Sequence, residues 1–122
     1  MNILVIDAQG GGIGRQLVTA IREKLPEADI TAVGTNTVAT AAMLKAGADN
    51  AATGENAVVV NTRRADVIVG PIGIVIADAM FGEITPRMAN AVAQSSAKRI
   101  LIPINHCDNI AVSYTHLRAH EN

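Results

Sequence analysis

Short runs of apolar residues alternate along the chain with amphipathic stretches, in which apolar and polar residues are mixed. Residues 2–7, "NILVID", form a nearly continuous apolar run, which is typical of a strand buried on both faces of a parallel sheet. After a glycine-rich turn, apolar residues recur every four positions until Pro26, which predicts an amphipathic helix. These apolar residues are Ile13, Leu17, Ile21 and Leu25. The segment therefore predicts a strand, a tight turn and a helix.

The next segments repeat this alternation. "DITAVGTN" predicts a second strand, and "TVATAAMLKAGA" predicts a helix that ends at Gly47. "DNAAT" indicates a short third strand. "GENAVVVNTRR" is interpreted as a third helix despite its three consecutive valines, because Gly54 and the polar residues after it indicate a helix start.

Two further strands, "ADVIVGP" and "KRILIPIN", are expected in the rest of the chain. Between them we predict two helical pieces, "IGIVIADAMFGE" and "TPRMANAVAQSS", the second capped by Thr85. Alternating strands and helices predict an α/β fold, a Rossmann-like doubly wound parallel sheet with right-handed crossovers. We expect the strand order 3-2-1-4-5 and helices on both faces.

Composition narrows the classes of function. The chain has 122 residues, of which 49% are hydrophobic and 17% charged, and this fits one domain with a substantial core. A net charge of -1 and 2% aromatic residues argue against a nucleic-acid surface. The longest apolar stretch, "GPIGIVIADAM", is too short to span a membrane. With one cysteine and no signal-like N-terminus, we expect a cytoplasmic protein with no nucleic-acid or membrane partner.

The turn "DAQGGGIG", residues 7–14, carries the main functional signal. Backbone amides at a strand–turn–helix junction and the helix dipole favour an anion, and glycine lets a phosphate approach closely. Alternatively, the glycines only permit positive φ and close packing of the helix. We predict that the turn holds the phosphate of a nucleotide and that Asp7 caps the loop's own amides. The predicted cofactor contacts here are Gln9, Gly10, Gly11, Gly12, Ile13 and Gly14.

Other candidate residues lie where the ends of the strands are expected to meet at one rim. Thr35 and Asn36 follow the second strand and could hydrogen-bond a ribose or a 2′-phosphate, although Asn36 could equally cap the next helix. Gly70 and Pro71 would adjoin the middle of a dinucleotide, or only form a turn that opens the next helix. Glu83 could pair with a helix N-terminus, or contact a ligand or another subunit.

Catalytic candidates are weaker. His106 and Cys107 follow the last strand, and histidine suits acid or base catalysis because its pKa lies near neutrality. No serine, aspartate or lysine stands at a spacing that would support them. His116 and His120 have a helical spacing of four residues, but we predict no metal site.

The glycine turn resembles the T-G-x-x-x-G-I-G motif of short-chain dehydrogenases, whose second half is matched by residues 12–15. Asp7 and Ala8 depart from the threonine and first glycine of that motif. The resemblance implies NAD or NADP as the cofactor. The catalytic Tyr-x-x-x-Lys pair of that family is absent, because Tyr114 is the only tyrosine and an arginine stands four residues later.

A wider resemblance rests on five stretches, which are "IDAQGGGIG", "GTNTVATAAMLKAGA", "ATGENAVVVN", "DVIVGPIGIVIADAMFGEITPRMA" and "RILIPIN". Together they resemble a family of small bacterial proteins classified as a domain of unknown function with a Rossmann-like fold. We expect one domain over residues 1–112. Residues 113–122 resemble translated sequencing-adapter read-through and are predicted to be non-native, the alternative being a genuine polar tail.

These observations lead to one main functional hypothesis and two alternatives. We predict a nucleotide- or dinucleotide-binding domain with an NAD(P)-like ligand. The first alternative is a minimal NAD(P)-dependent oxidoreductase that completes its active site as a homodimer. The second is an oligomeric scaffold or regulatory module that binds no cofactor.

Overall fold

A single parallel sheet forms the centre of the computed structural model, which describes residues 1–103. Its strands are β1 (Asn2–Asp7), β2 (Asp29–Gly34), β3 (Asn50–Thr53), β4 (Val67–Pro71) and β5 (Lys98–Ile102). They lie in the order β3-β2-β1-β4-β5, and every neighbouring pair is parallel. The predicted α/β fold and strand order are therefore confirmed.

Helices cover both faces of this sheet. They are α1 (Gly12–Lys24), α2 (Thr37–Lys45), α3 (Glu55–Thr62) and α4 (Pro86–Gln94), with a short 3₁₀ helix at Ile72–Val75. α1 and α2 pack together on one face, and α3 and α4 pack together on the other. Thr85 caps α4 by accepting a hydrogen bond from the Met88 amide at 3.1 Å, as its sequence position predicted.

The central strand β1 contributes to both halves of the core. Leu4 and Ile6 pack on the side of α3 and α4, whereas Ile3 and Val5 pack on the side of α1 and α2. All four side chains are buried. Burial on both faces explains why this strand is an almost unbroken apolar run.

The buried face of α1 differs from the predicted stripe. Gly14 and Val18 are buried, Leu17 and Ile21 are only partly buried, and Leu25 lies beyond the last residue of the helix. The helix packs closely against its neighbours at Gly14, where a Cβ atom would lie 2.8 Å from Asp7 Cβ. The apolar residues that recur every four positions therefore lie at the edge of the buried face of α1, and not at its centre.

The helix predicted over "IGIVIADAMFGE" is wrong beyond its first turn. Only Ile72–Val75 forms a 3₁₀ helix, and turns follow it up to Thr85. Asp78, Met80 and Phe81 have φ values of 67°, 57° and 58°. Because an α-helix requires negative φ, this backbone cannot continue one.

Within residues 1–103, no helix combines the length and the apolar character needed to cross a bilayer. The expected domain end at residue 112 and the expected non-native tail lie outside the described residues and stay predictions.

Candidate functional site

A hollow of about 340 Å³ lies beside the glycine turn. It is lined by residues 7–13, Gln16, Pro71 and Met80, and so lies at the carboxyl ends of β1 and β4. This edge is where open α/β sheets bind their ligands, because the N-termini of the following helices gather there.

The buried carboxylate of Asp7 occupies part of the turn. Its Oδ1 accepts a hydrogen bond from the Ala8 amide at 2.8 Å, and its Oδ2 accepts one from the Gly14 amide at 2.6 Å. The predicted capping role of Asp7 is therefore confirmed. Since Gly14 already donates to this carboxylate, its amide is not offered to a ligand.

Three other amides of the turn remain available. In residues 1–103 the N–H groups of Gly10, Gly12 and Ile13 donate to no protein acceptor, and all three residues line the hollow. Gly12 and Ile13 begin α1, so their amides belong to the unpaired first turn at the positive end of the helix dipole.

The four glycines of the turn divide into two pairs. Gly11 has a φ of 73°, and a Cβ there would lie 2.7 Å from Ala39 Cα. A Cβ at Gly14 would lie 2.5 Å from Met43 Sδ. In contrast, Gly10 and Gly12 lack positive φ, and a Cβ at either would meet nothing within 4 Å. The fold requires glycine at the first pair, whereas the second pair leaves open space beside the hollow.

Glu83 holds the other side of the turn. Its Oε1 accepts hydrogen bonds from the Gln9 amide at 2.8 Å, Thr35 Oγ1 at 2.6 Å and Asn36 Nδ2 at 2.9 Å. Asn36 Nδ2 also donates to the Gln9 carbonyl at 2.9 Å. We name these four residues the Glu83 cluster. It fixes both polar backbone groups of Gln9, whose φ of 53° is rare for a residue other than glycine.

The carboxylate of Glu83 is ionised at neutral pH. Partial burial raises its pKa and is the largest single influence, but the hydrogen bonds from Thr35, Gln9 and Asn36 together outweigh it and lower the pKa below its usual value. The cluster is therefore centred on a charged acceptor, which strengthens its hydrogen bonds.

The family model described as "Domain of unknown function (DUF3842)" matches residues 2–121. The chain belongs to this family. The resemblance to a family of unknown function is thereby confirmed. The match of the family model also includes residues 113–121, which belong to the tail predicted to be non-native. No curated protein matches the chain.

One solved structure similar to this DUF3842 domain is the "Crystal Structure of dodecameric FMN-dependent Ubix-like Decarboxylase from Escherichia coli O157:H7". It is 21% identical with a TM-score of 0.52, and the match covers 99% of this chain and 73% of that chain. At this level of identity the likeness extends to the α/β fold alone.

Thr35 and Asn36, two of the ligand contacts predicted from the sequence, make hydrogen bonds within this DUF3842 domain. Thr35 donates to Glu83, and Asn36 Oδ1 accepts from the Ala39 amide at 2.9 Å, so Asn36 caps α2. Neither residue lines the hollow. Gly70 is also outside it, and a Cβ there would lie 2.5 Å from the Ile6 carbonyl oxygen. The role of these residues as ligand contacts stays a prediction.

The hollow brings together only part of the predicted set. The predicted contacts that line it are Gln9, Gly10, Gly11, Gly12, Ile13 and Pro71. His106 and Cys107 lie outside the described residues, so their catalytic role stays a prediction.

Sequence reasoning missed two residues that line the hollow, Gln16 and Met80. Gln16 stands one helical turn after Gly12, a spacing that could have found it. Met80 had no such signal, because it lies in the segment wrongly predicted as helix.

Proposed function

We propose that the protein binds a mononucleotide, with its phosphate held by the amides of Gly10, Gly12 and Ile13. The observation that carries this proposal is that these amides lack a protein acceptor in residues 1–103 and line a hollow at the start of α1. Backbone amides at a helix N-terminus are a common way to bind phosphate.

The charges around the hollow favour a single phosphate. No lysine or arginine of the described residues lines it, whereas Asp7 does. Among the described residues, amides and the helix dipole would therefore balance the negative charge of a ligand. A phosphate monoester places one phosphate group against the three amides, whereas the pyrophosphate of a dinucleotide would have to place a second phosphate group close to Asp7.

FMN is the first ligand to test. A protein of the same fold is described as FMN-dependent, and a hollow of about 340 Å³ lies within the range typical of small-molecule sites. NAD and NADP, the cofactors expected from the sequence, belong in the same assay, and we expect weaker binding because both carry a pyrophosphate.

A larger hollow of about 410 Å³ lies at the amino ends of β1 and β2, beside Asn2 and Asp29. We favour the smaller hollow because the positive ends of the helix dipoles lie at the carboxyl edge of the sheet.

The test compares ligand-induced thermal stabilisation in two variants with one added carboxylate each. Gly12→Asp places a negative charge beside the unpaired amides, and the open space around Gly12 allows the protein to fold. Ala20→Asp adds the same charge at an exposed position on α1 and serves as the control. We expect FMN to stabilise the wild type and Ala20→Asp but not Gly12→Asp. Equal stabilisation of all three proteins would contradict the proposal.

The same assay separates the alternatives. A scaffold without a cofactor predicts no shift with FMN, NAD or NADP, together with a stable oligomer by light scattering. An NAD(P)-dependent oxidoreductase predicts a larger shift with NAD or NADP than with FMN.

A further inference from the structure

The segment between the 3₁₀ helix and α4 has an unusual backbone. We name residues 78–83 the Phe81 loop. Three of its non-glycine residues, Asp78, Met80 and Phe81, have positive φ, as does Gly82. Residues other than glycine rarely adopt this conformation, and where it persists it is often found at functional sites.

The base of the Phe81 loop is firmly anchored. The Asp78 amide donates to the Ile84 carbonyl at 2.7 Å, and the Ile84 amide donates to the Ala79 carbonyl at 3.2 Å. The Gly82 amide donates to the Asp78 carbonyl at 3.1 Å. The side chains of Ala79, Met80 and Ile84 are buried in the core. The unusual backbone is therefore held from both sides.

Phe81 projects from this anchored base. It is the only phenylalanine of the chain, and it is 85% exposed. Single exposed apolar residues are ordinary on protein surfaces. Here, however, hydrogen bonds fix a backbone with positive φ that holds Phe81 in solvent. Met80 directly before it and Ile84 three residues after it are both buried.

The Phe81 loop meets the candidate site at two points. Met80 lines the hollow, and Glu83 accepts a hydrogen bond from the Gln9 amide. Phe81 does not itself line the hollow, but it directly follows Met80, so its Cα lies about 3.8 Å from that of a residue that does. The site thus combines amide donors suited to an anion with apolar side chains suited to a flat ring.

We propose that Phe81 stacks on the planar ring of the nucleotide, and this inference rests on the proposed function. Aromatic side chains favour stacked contacts with flat rings, and an aromatic residue that is already ordered loses little freedom on binding. The exposed residues beside Phe81 in its loop are Asp78 and Gly82. Within residues 78–83 Phe81 is therefore the only exposed apolar side chain, which suits contact with a single ring.

Calorimetry with three probes tests this inference: FMN, AMP and ribose 5-phosphate, which carries a phosphate but no ring. Phe81→Ala should weaken binding of the ring-containing probes by about tenfold, in line with aromatic stacking in nucleotide sites. Its affinity for ribose 5-phosphate should stay that of the wild type. Phe81→Tyr keeps the ring and should restore the affinity for FMN and AMP. Because residue 81 is exposed, both variants should keep the wild-type melting temperature.

The outcomes distinguish this inference from the proposed function. If Gly12→Asp abolishes FMN binding but Phe81→Ala leaves it unchanged, stacking is overturned and phosphate binding at the turn stands. If Phe81→Ala weakens all three probes equally, the loop acts on the phosphate end and stacking is overturned. If the wild type binds neither FMN nor AMP, both proposals fail.

Discussion

The Gln9 amide nitrogen lies 2.8 Å from Glu83 Oε1, although the two residues are 74 positions apart in the chain. Gln9 belongs to the turn after β1, and Glu83 belongs to the loop before α4. The shape of the glycine turn thus depends on a segment from the other half of the domain. Changes at Glu83 should therefore reach the turn without touching a glycine.

We expect Glu83→Ala to destabilise the protein by about 1–3 kcal/mol, because Gln9, Thr35 and Asn36 lose a shared acceptor in a partly buried place. Glu83→Gln keeps an acceptor oxygen but loses the charge, so its loss should be smaller, about 0.5–1.5 kcal/mol. Urea unfolding measures both. Glu27→Gln, at an exposed position, is the matched control. A Glu83→Ala variant as stable as this control would show that the cluster contributes nothing.

The lowered pKa of Glu83 predicts how stability responds to acid. In the unfolded chain this carboxylate takes up a proton at a higher pH than in the folded protein, so its contribution is complete well above the unfolded pKa of about 4.3. That contribution is lost as the pH falls through the lower, folded pKa. The free energy of unfolding of the wild type should therefore fall more steeply below about pH 5 than that of Glu83→Gln.

Asp49 must be separated from this effect. Its pKa is also lowered, first by the hydrogen bond from the Ile30 amide and then by Arg22. Asp49→Asn should therefore also reduce the fall in the free energy of unfolding at acid pH. The double variant of Glu83→Gln and Asp49→Asn should reduce it by both contributions. A Glu83→Gln protein with the wild-type slope would contradict the assignment.

Arg22 joins the end of α1 to the loop after α2. Its Nη2 donates to the Gly47 carbonyl at 2.9 Å and to Asp49 Oδ2 at 2.6 Å, while Nη1 donates to the Ala28 carbonyl at 2.9 Å. A lysine cannot reproduce this planar set of donors. We expect Arg22→Lys to lower stability by about 1–2 kcal/mol in urea unfolding. Arg15→Lys, on the exposed part of α1, should change it far less; equal losses would argue against the planar contacts.

Much of the fold was predictable from local patterns. The apolar run of β1, the glycine turn and the periodicity of α1 each indicate an element, and alternation of strands and helices favours a parallel sheet. The capping role of Asp7 was also predictable, because its carboxylate and the amides it accepts from lie within eight consecutive residues.

The Glu83 cluster and the Phe81 loop were not predictable in this way. The cluster depends on contacts between residues 47, 48 and 74 positions apart, and no short motif encodes such contacts. The loop has an apolar composition that suits a helix, and Gly82 was its only signal for positive φ. Tertiary contacts at Ala79, Met80 and Ile84 decide its backbone instead.

The different surroundings of Gly12 and Gly14 predict opposite effects of alanine on stability at these two positions of the turn. Gly12→Ala should leave stability unchanged or raise it by up to about 1 kcal/mol, because alanine favours a helix and a Cβ there meets nothing within 4 Å. It should nevertheless weaken FMN binding, since its methyl group adjoins the unpaired amides. Gly14→Ala should lose about 1–3 kcal/mol, because its Cβ would press on Met43 and Asp7.

Urea unfolding and FMN calorimetry on both variants check this reversal. Gly12→Ala should be at least as stable as the wild type and yet bind FMN more weakly than Gly14→Ala does. Binding by Gly14→Ala, measured well below its melting temperature, should fall less. Only a ligand that approaches the backbone at Gly12 explains that combination, because a loss of fold would lower stability and binding together. If Gly12→Ala bound FMN as tightly as the wild type, the open space at this position would have a cause other than a phosphate.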